Sequence, residues 1–116
     1  VCSLPAIYEE PIDVIVEEGG KLELKVPSSV NIWHREFADG RSEYVEFPNQ
    51  YLEVSNVWRG GDMFHTHDPT ILISLNQDGY VILLQVTAAA SAKYFTYYMG
   101  DDHVHHYSYF NVKIGN

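Results

Sequence analysis

Short segments in which every second residue is apolar run through most of this chain. Residues 12–16 and 22–26 both alternate in this way, and Gly19-Gly20 separates them as a turn. Because successive side chains of a strand point to opposite faces, the pattern predicts strands with one buried face. About nine such segments, with turn signals about every 8–12 residues, predict an all-β sandwich or barrel. The helix candidate from Thr87 to Ala92 is too short to be stable alone, so we expect a single turn there.

Composition and charge exclude several classes of partner. The chain has 116 residues, enough for one domain with a sizeable core, and its 46% hydrophobic content argues against disorder. Sixteen acidic and seven basic residues give a formal net charge of −9. Nucleic acid is therefore not an expected partner, because binding its phosphate backbone requires clustered Lys and Arg. No apolar run approaches the roughly 20 residues that cross a bilayer, so we expect no membrane insertion by this domain.

The segment from Ile71 to Thr96 carries the most specific pattern. It reads as a strand, an Asn-Gln-Asp-Gly turn, a second strand, a small-residue corner and Tyr-x-Thr. This order resembles the D–E–F segment of an immunoglobulin variable-type (V-set) domain, which usually ends in "D-S-G-x-Y-x-C". The resemblance extends from Ile12 to Ile114 and implies a V-set-like β-sandwich of about nine strands in two antiparallel sheets. We expect one domain over 1–116, with 1–11 as an N-terminal extension.

Individual residues match the hallmarks of that family or replace them. Trp33 stands at the position of the core tryptophan, and Tyr94 at the tyrosine corner, whose hydroxyl bonds to upstream backbone. Val26 and Thr96 stand where the family has its inter-sheet disulfide, so the Thr96 hydroxyl needs a backbone acceptor. The resemblance is thus to V-set domains without that disulfide, found in cnidarian allorecognition receptors and lymphocyte adhesion receptors. Cys2 is the only cysteine, and either has no role or pairs outside this chain.

The resemblance also implies where a partner binds, because V-set recognition usually uses the G-F-C-C′ sheet face. If Trp33, Tyr94 and Thr96 point inward, the residues next to them on the same strands point outward. A register slip of one residue would exchange the inward and outward sets. Aromatic residues and Met are enriched at interfaces, which favours a binding surface. We also expect Lys113 or Arg35, with Glu36 or Glu46, to make this face complementary to itself. The predicted partner-binding residues are Phe95, Tyr97, Met99, Tyr107, Tyr109, His34, Glu36, Tyr44 and Glu46.

Two histidine clusters leave a metal-binding alternative open. The clusters are His65-x-His67 and His103-x-His105-His106. Residues i and i+2 of a strand share a face, so the pair of histidines at this spacing in each cluster could chelate an ion. The pattern is faintly similar to that of cupin barrels, but the glutamate expected shortly after His-x-His is missing. We therefore expect exposed loop histidines and no metal or cofactor. The chain also has no Gly-x-Ser-x-Gly, P-loop or Gly-x-Gly-x-x-Gly motif, so we expect no enzyme.

Together these features predict an extracellular recognition domain. We expect it to be the membrane-distal part of a membrane-anchored cell-surface receptor that binds a protein partner, preferably a second copy of itself. A heterophilic adhesion or decoy domain is one alternative. A small His-rich metal-binding β-barrel is the other.

Overall fold

A computed structural model describes residues 6–28, 30, 32–46, 58–60, 65–66, 72–75 and 81–115. Cys2, His67 and the predicted turn at residues 76–79 lie outside these ranges. The described residues form two β-sheets, one of eight strands and one of three. The strands are β1 Ala6–Tyr8, β2 Ile12–Glu17, β3 Leu22–Leu24, β4 Ile32–Glu36, β5 Ser42–Glu46, β6 Trp58–Gly60, β7 His65–Thr66, β8 Leu72–Leu75, β9 Val81–Leu84, β10 Ala92–Met99 and β11 His105–Gly115.

The larger sheet has the strand order β1-β11-β10-β4-β5-β6-β7, and β2 also pairs with β11. The smaller sheet has the order β3-β9-β8. The all-β sandwich is confirmed, but the predicted count of nine strands is wrong, since the described residues form eleven. One addition is β1, which falls within the segment predicted as an extension and pairs in parallel with the start of β11. Pro11, which has no N–H to donate, separates β1 from β2.

The hairpin of β10 and β11 is the centre of the larger sheet. Its antiparallel register places Phe95 opposite Tyr109 and Tyr97 opposite Tyr107. Strand β4 lies on the other side of β10, with His34 opposite Phe95. A single 3₁₀ turn at Ala88–Ala90 precedes β10, which confirms the short turn predicted there.

The core between the sheets uses the residues that the alternation predicts to be inward. Trp33 and Tyr94 are completely enclosed, and Phe110, Val112 and Ile114 are also buried. A slip of one residue in register would have exposed this set instead. The predicted orientation of β4, β10 and β11 is therefore confirmed.

The two polar groups expected to need backbone partners both have them. The Tyr94 hydroxyl donates to the carbonyl oxygen of Ala90 at 2.7 Å, as the tyrosine-corner assignment requires. The Thr96 hydroxyl donates to the carbonyl oxygen of Ile32 at 2.6 Å. Thr96 is fully buried, so an unpaired hydroxyl there would cost about 1–3 kcal/mol. The bond to Ile32 removes that cost and ties β10 to the start of β4.

Arg35 corrects one prediction about the sheet face. It was expected on the outer, partner-facing side, but only 3% of its side chain is exposed. Its position two residues after Trp33 puts it on the same inward side, since side chains i and i+2 share a face. Its Nη2 lies 2.6 Å from Oε1 of Glu43 on β5, which is also buried. The guanidinium also lies 4.0 Å from the ring centre of Trp58. Burial of this charge is tolerated because it is paired and bonded inside the sandwich.

Candidate functional site

The outer side of the larger sheet, which faces away from β3, β8 and β9, carries two neighbouring groups of rings. Residues between the buried positions of β4, β5, β10 and β11 point to this side, as the sequence predicts. We call this surface the aromatic face. Its rings belong to Tyr8, His34, Tyr44, Phe95, Tyr97, Tyr107 and Tyr109.

One row of the aromatic face crosses four strands. His34 stacks on Phe95 with ring centres 4.9 Å apart, and Tyr109 lies 5.8 Å from Phe95 on the other side. Tyr44 extends the row from β5, at 6.3 Å from His34. These side chains are half-buried because each ring covers part of the next. Such cross-strand contacts restrict the rotation of the rings. A surface whose side chains are ordered in advance loses less entropy in any association than a mobile one does.

A second row lies closer to the β10–β11 turn and is more exposed. Tyr97 and Tyr107 have ring centres 5.6 Å apart, and Tyr8 stacks on Tyr107 at 4.9 Å. Tyr97 is 43% exposed and Tyr8 is 67% exposed. Met99, which is 49% exposed, ends β10 on the same side. These large side chains therefore leave more area accessible to another molecule than the half-buried rings of the first row do.

Two exposed residues of this face were missed in the sequence. Tyr8 falls in the segment predicted as an extension, and its parallel pairing with β11 has no local sequence signal. Ile15 is 80% exposed and lies opposite Lys113 on the outer side of β2. A signal for Ile15 was present, because an apolar residue at an outward position of an alternating strand is out of pattern. Glu36 is exposed at the margin of the face, whereas the side chain of Glu46 lies outside the described residues.

The centre of the aromatic face is electrically neutral near pH 7. Burial lowers the pKa of His34 from its usual 6.5, which favours the uncharged imidazole. Burial likewise raises the pKa of Tyr109 above its usual 10, so its hydroxyl stays protonated. The ammonium of Lys93 lies 5.4 Å from the ring centre of Tyr109, at the edge of this neutral area. A face with an uncharged aromatic centre and charged margins has the composition of a protein interface.

A depression of about 670 Å³ adjoins the aromatic face at the end away from the β10–β11 turn. We call it the basal depression. Lys93 and Lys113 stand on its rim, together with Asp13 and Glu36. The side-chain amide of Asn111 donates to Oδ1 of Asp13 at 3.2 Å. The remaining lining residues are Val14, Ile15, Phe37, Ala38, Ser91, Ala92 and Val112.

The predicted histidine clusters do not assemble a metal site in the described part of the chain. His106 lies between two carboxylates instead, with Nδ1 3.0 Å from Glu9 and Nε2 3.3 Å from Asp102. The hydrogen bond with Glu9, followed by that with Asp102, raises the pKa of His106 above its usual 6.5. Among the residues that the structure describes, no group of three or more His, Cys, Asp or Glu side chains is arranged so that it could hold a metal ion. The side chains of His65 and His67 lie outside the described set.

Comparison with known proteins establishes the fold type. No protein-family model and no curated protein matches the sequence. The extracellular fragment of novel immune-type receptor 10 from Ictalurus punctatus is similar in structure, with a TM-score of 0.56 and 13% identity over 90% of this chain and 97% of that one. The fragment of novel immune-type receptor 11 from the same fish gives a TM-score of 0.57, also at 13% identity, over 90% and 98%. This chain therefore has an immunoglobulin-type β-sandwich fold. No helix within the described ranges is long and apolar enough to span a membrane.

Proposed function

We propose that this chain is the extracellular recognition domain of a cell-surface receptor and that it binds a protein partner through the aromatic face. The observation that carries the proposal is the presence, on one side of the sheet, of two neighbouring rows of ring contacts that together span β1, β11, β10, β4 and β5. Tyrosine and other aromatic residues are enriched among the side chains that dominate binding energy. Large apolar groups at this density on a sheet surface mark an interaction site.

Two further observations support the receptor assignment. The similar structures are extracellular fragments of immune-type receptors. Beyond β4 the larger sheet continues with β5, β6 and β7. Additional strands on this side of the sheet distinguish variable-type from constant-type immunoglobulin domains. Both favour a V-set recognition domain and a binding role rather than a catalytic one. The absence of an inter-sheet disulfide from this proposal rests on Cys2 being the only cysteine of the given sequence.

The preferred partner is a second copy of the chain. With Arg35 buried, the cations on the described part of the face include Lys93 and Lys113, and its acidic groups include Glu36 and Asp13. A surface with both signs of charge around an apolar centre can pair with itself about a two-fold axis. The net charge of −9 opposes association at long range. At physiological salt, however, exposed charges are screened beyond about 8 Å. A heterophilic partner is the alternative.

Sedimentation velocity over a concentration series, with and without a chelator, tests this function. We expect reversible self-association that the chelator leaves unchanged. Tyr97→Ala should weaken it about tenfold or more, because this exposed ring lies within the proposed interface. Ile12→Ala is a matched control, since Ile12 is 55% exposed but lies opposite buried Phe110, on the other side of the sheet.

The outcomes separate the alternatives. A wild-type chain that stays monomeric at every concentration would favour a heterophilic partner. Assembly that disappears with chelator would move the site to the histidines. Equal association of the wild type and Tyr97→Ala, with a loss in Ile12→Ala, would rule out the aromatic face as the interface.

A further inference from the structure

The two ends of the aromatic face differ in shape and in charge. At one end, β10 finishes with Met99, and the following turn carries the exposed acidic residues Asp101 and Asp102. We call residues 99–102 the hairpin tip. At the other end, the basal depression lies between Lys93 and Lys113. Lys93 and Met99 are both on the outer side of β10, about 20 Å apart along the strand.

The basal depression suits an apolar side chain followed by an acidic one. Its lining includes Ile15, which is 80% exposed and presents an apolar side chain on the outer side of the sheet. Of its two rim carboxylates, Asp13 already accepts a bond from Asn111, and Glu36 lies opposite Lys93. Lys113 lies opposite Ile15, which has no charge. The depression thus combines an apolar interior with a cation that is placed to meet an incoming carboxylate.

The hairpin tip has the matching chemistry. Met99 is 49% exposed, and an unbranched methionine adapts to irregular apolar spaces better than a branched side chain does. Asp101 follows two residues later and is exposed. Asp102 is held by the backbone N–H of Val104 and by His106. Asp101 is therefore the acidic residue of the tip best placed to meet a partner.

We infer that the chain forms a symmetric face-to-face dimer in which the hairpin tip of each copy occupies the basal depression of the other. This inference rests on the homophilic form of the proposed function. The two-fold axis runs across the strands, in the plane of the interface, at the level of Thr96 and Ser108. Because β10 then crosses its own copy in the opposite direction, Met99 of one copy lies over Lys93 of the other. Tyr97 lies over Phe95 at the centre, so the aromatic face is buried by the same arrangement.

Charge distinguishes this axis from one that runs along the strands. An axis along the strands would place the two hairpin tips together and the two lysine-bearing ends together. Asp101 would then face Asp101, and Lys93 would face Lys93, and like charges across an interface suppress a wrong pairing. The axis across the strands places each acidic tip at the rim of a lysine-bearing depression, twice in each dimer.

A charge-swap experiment tests the arrangement with Asp101→Lys as one variant and the double change Lys93→Glu with Lys113→Glu as the other. In each variant alone, the dissociation constant of the dimer should rise by about tenfold or more relative to the wild type. The reason is that both contacts of its dimer join like charges. An equimolar mixture should recover association. In the mixed dimer, one contact joins the lysine introduced at the tip to the two introduced glutamates, and the other joins the original Asp101 to the original lysines. Sedimentation velocity measures all three samples, and thermal unfolding verifies that each variant is folded.

The result that overturns this inference differs from the one that overturns the proposed function. If Tyr97→Ala abolishes association but the charge variants associate like the wild type, the aromatic face stands and the docking of the tip is wrong. If both charge variants weaken association and their mixture gives no recovery, the tip and the depression are not partners. If the wild type does not self-associate, the homophilic proposal and this inference both fail.

Discussion

The two faces of the larger sheet are built by alternate residues of the same strands, yet they are stabilised differently. On the inner face, Tyr94 and Thr96 are fully buried and their hydroxyls bond to backbone carbonyls. On the outer face, Phe95 and Tyr97 are half-buried or exposed and contact other rings. A change on the inner face therefore leaves a polar group unpaired or a space unfilled. A change on the outer face removes area that only a partner would bury.

The buried ion pair should give the largest difference between the faces. We expect Glu43→Gln to lower the free energy of unfolding by about 3–5 kcal/mol, because it leaves the Arg35 guanidinium buried without its counter-charge. Urea denaturation measures this. Replacing both residues by apolar ones, Arg35→Met with Glu43→Leu, should recover most of the loss, since no charge is then stranded. A single-variant loss below about 1 kcal/mol would mean that the pair is better solvated than its 3% and 6% exposure indicates.

Removing one hydroxyl from each face is the closest matched comparison. Tyr94→Phe loses the donor to the Ala90 carbonyl and the acceptor 3.2 Å from Nη1 of Arg35. We expect it to cost about 1–3 kcal/mol of stability, the range for a buried group left unpaired. Tyr97→Phe removes the same atom from an exposed ring and should change stability by less than about 0.5 kcal/mol. Equal losses in thermal or urea unfolding would contradict the division between the faces.

Much of this division could be predicted from alternation within single strands. The inward positions of Trp33, Tyr94 and Thr96 and the outward positions of Phe95 and Tyr97 all follow from period two. Arg35 was placed outward because it is charged, although its parity with Trp33 points inward. What makes its burial possible is Glu43 on the next strand, and that pairing depends on the register between β4 and β5.

Contacts between distant parts of the chain were beyond prediction. Tyr8 joins the aromatic face only because β1 pairs in parallel with β11, almost a hundred residues later. The bond between His106 and Glu9 depends on the same pairing. Neither turn residues nor periodicity specify such a parallel contact, because no short connection fixes its register. The basal depression likewise forms where β2, the β4–β5 turn and the β10–β11 hairpin meet.

Substitutions of Thr96 measure what stabilises the core at the position where the resemblance places a disulfide cysteine. Thr96→Val keeps the shape but removes the bond to Ile32, and should cost about 1 kcal/mol. Thr96→Ser keeps the hydroxyl and loses a methyl group, so it measures packing alone. If Thr96→Val were as stable as the wild type in urea, the hydrogen bond would be compensated by the additional buried methyl group.

The smallest predicted effect concerns two histidines whose pKa values move in opposite directions. His34, on the outer face, has its pKa lowered by burial, so its contribution to stability is present above pH 6.5 and is lost as pH falls through the lowered value. His106 has its pKa raised, first by Glu9 and then by Asp102. Its contribution is present below pH 6.5 and is lost as pH rises through the raised value.

NMR titration of the imidazole rings measures both directions in one experiment. The His106 midpoint should lie above 6.5 and the His34 midpoint below it. Glu9→Gln should lower the His106 midpoint more than Asp102→Asn does, because the bond with Glu9 is the largest cause of the shift. Neither variant should move His34, which is shifted by burial rather than by a carboxylate. A His106 midpoint at or below 6.5 would mean that no charged imidazole holds the β10–β11 turn to the N-terminal strand. Of these two histidines, only His34 would then have a pKa that departs from the usual value.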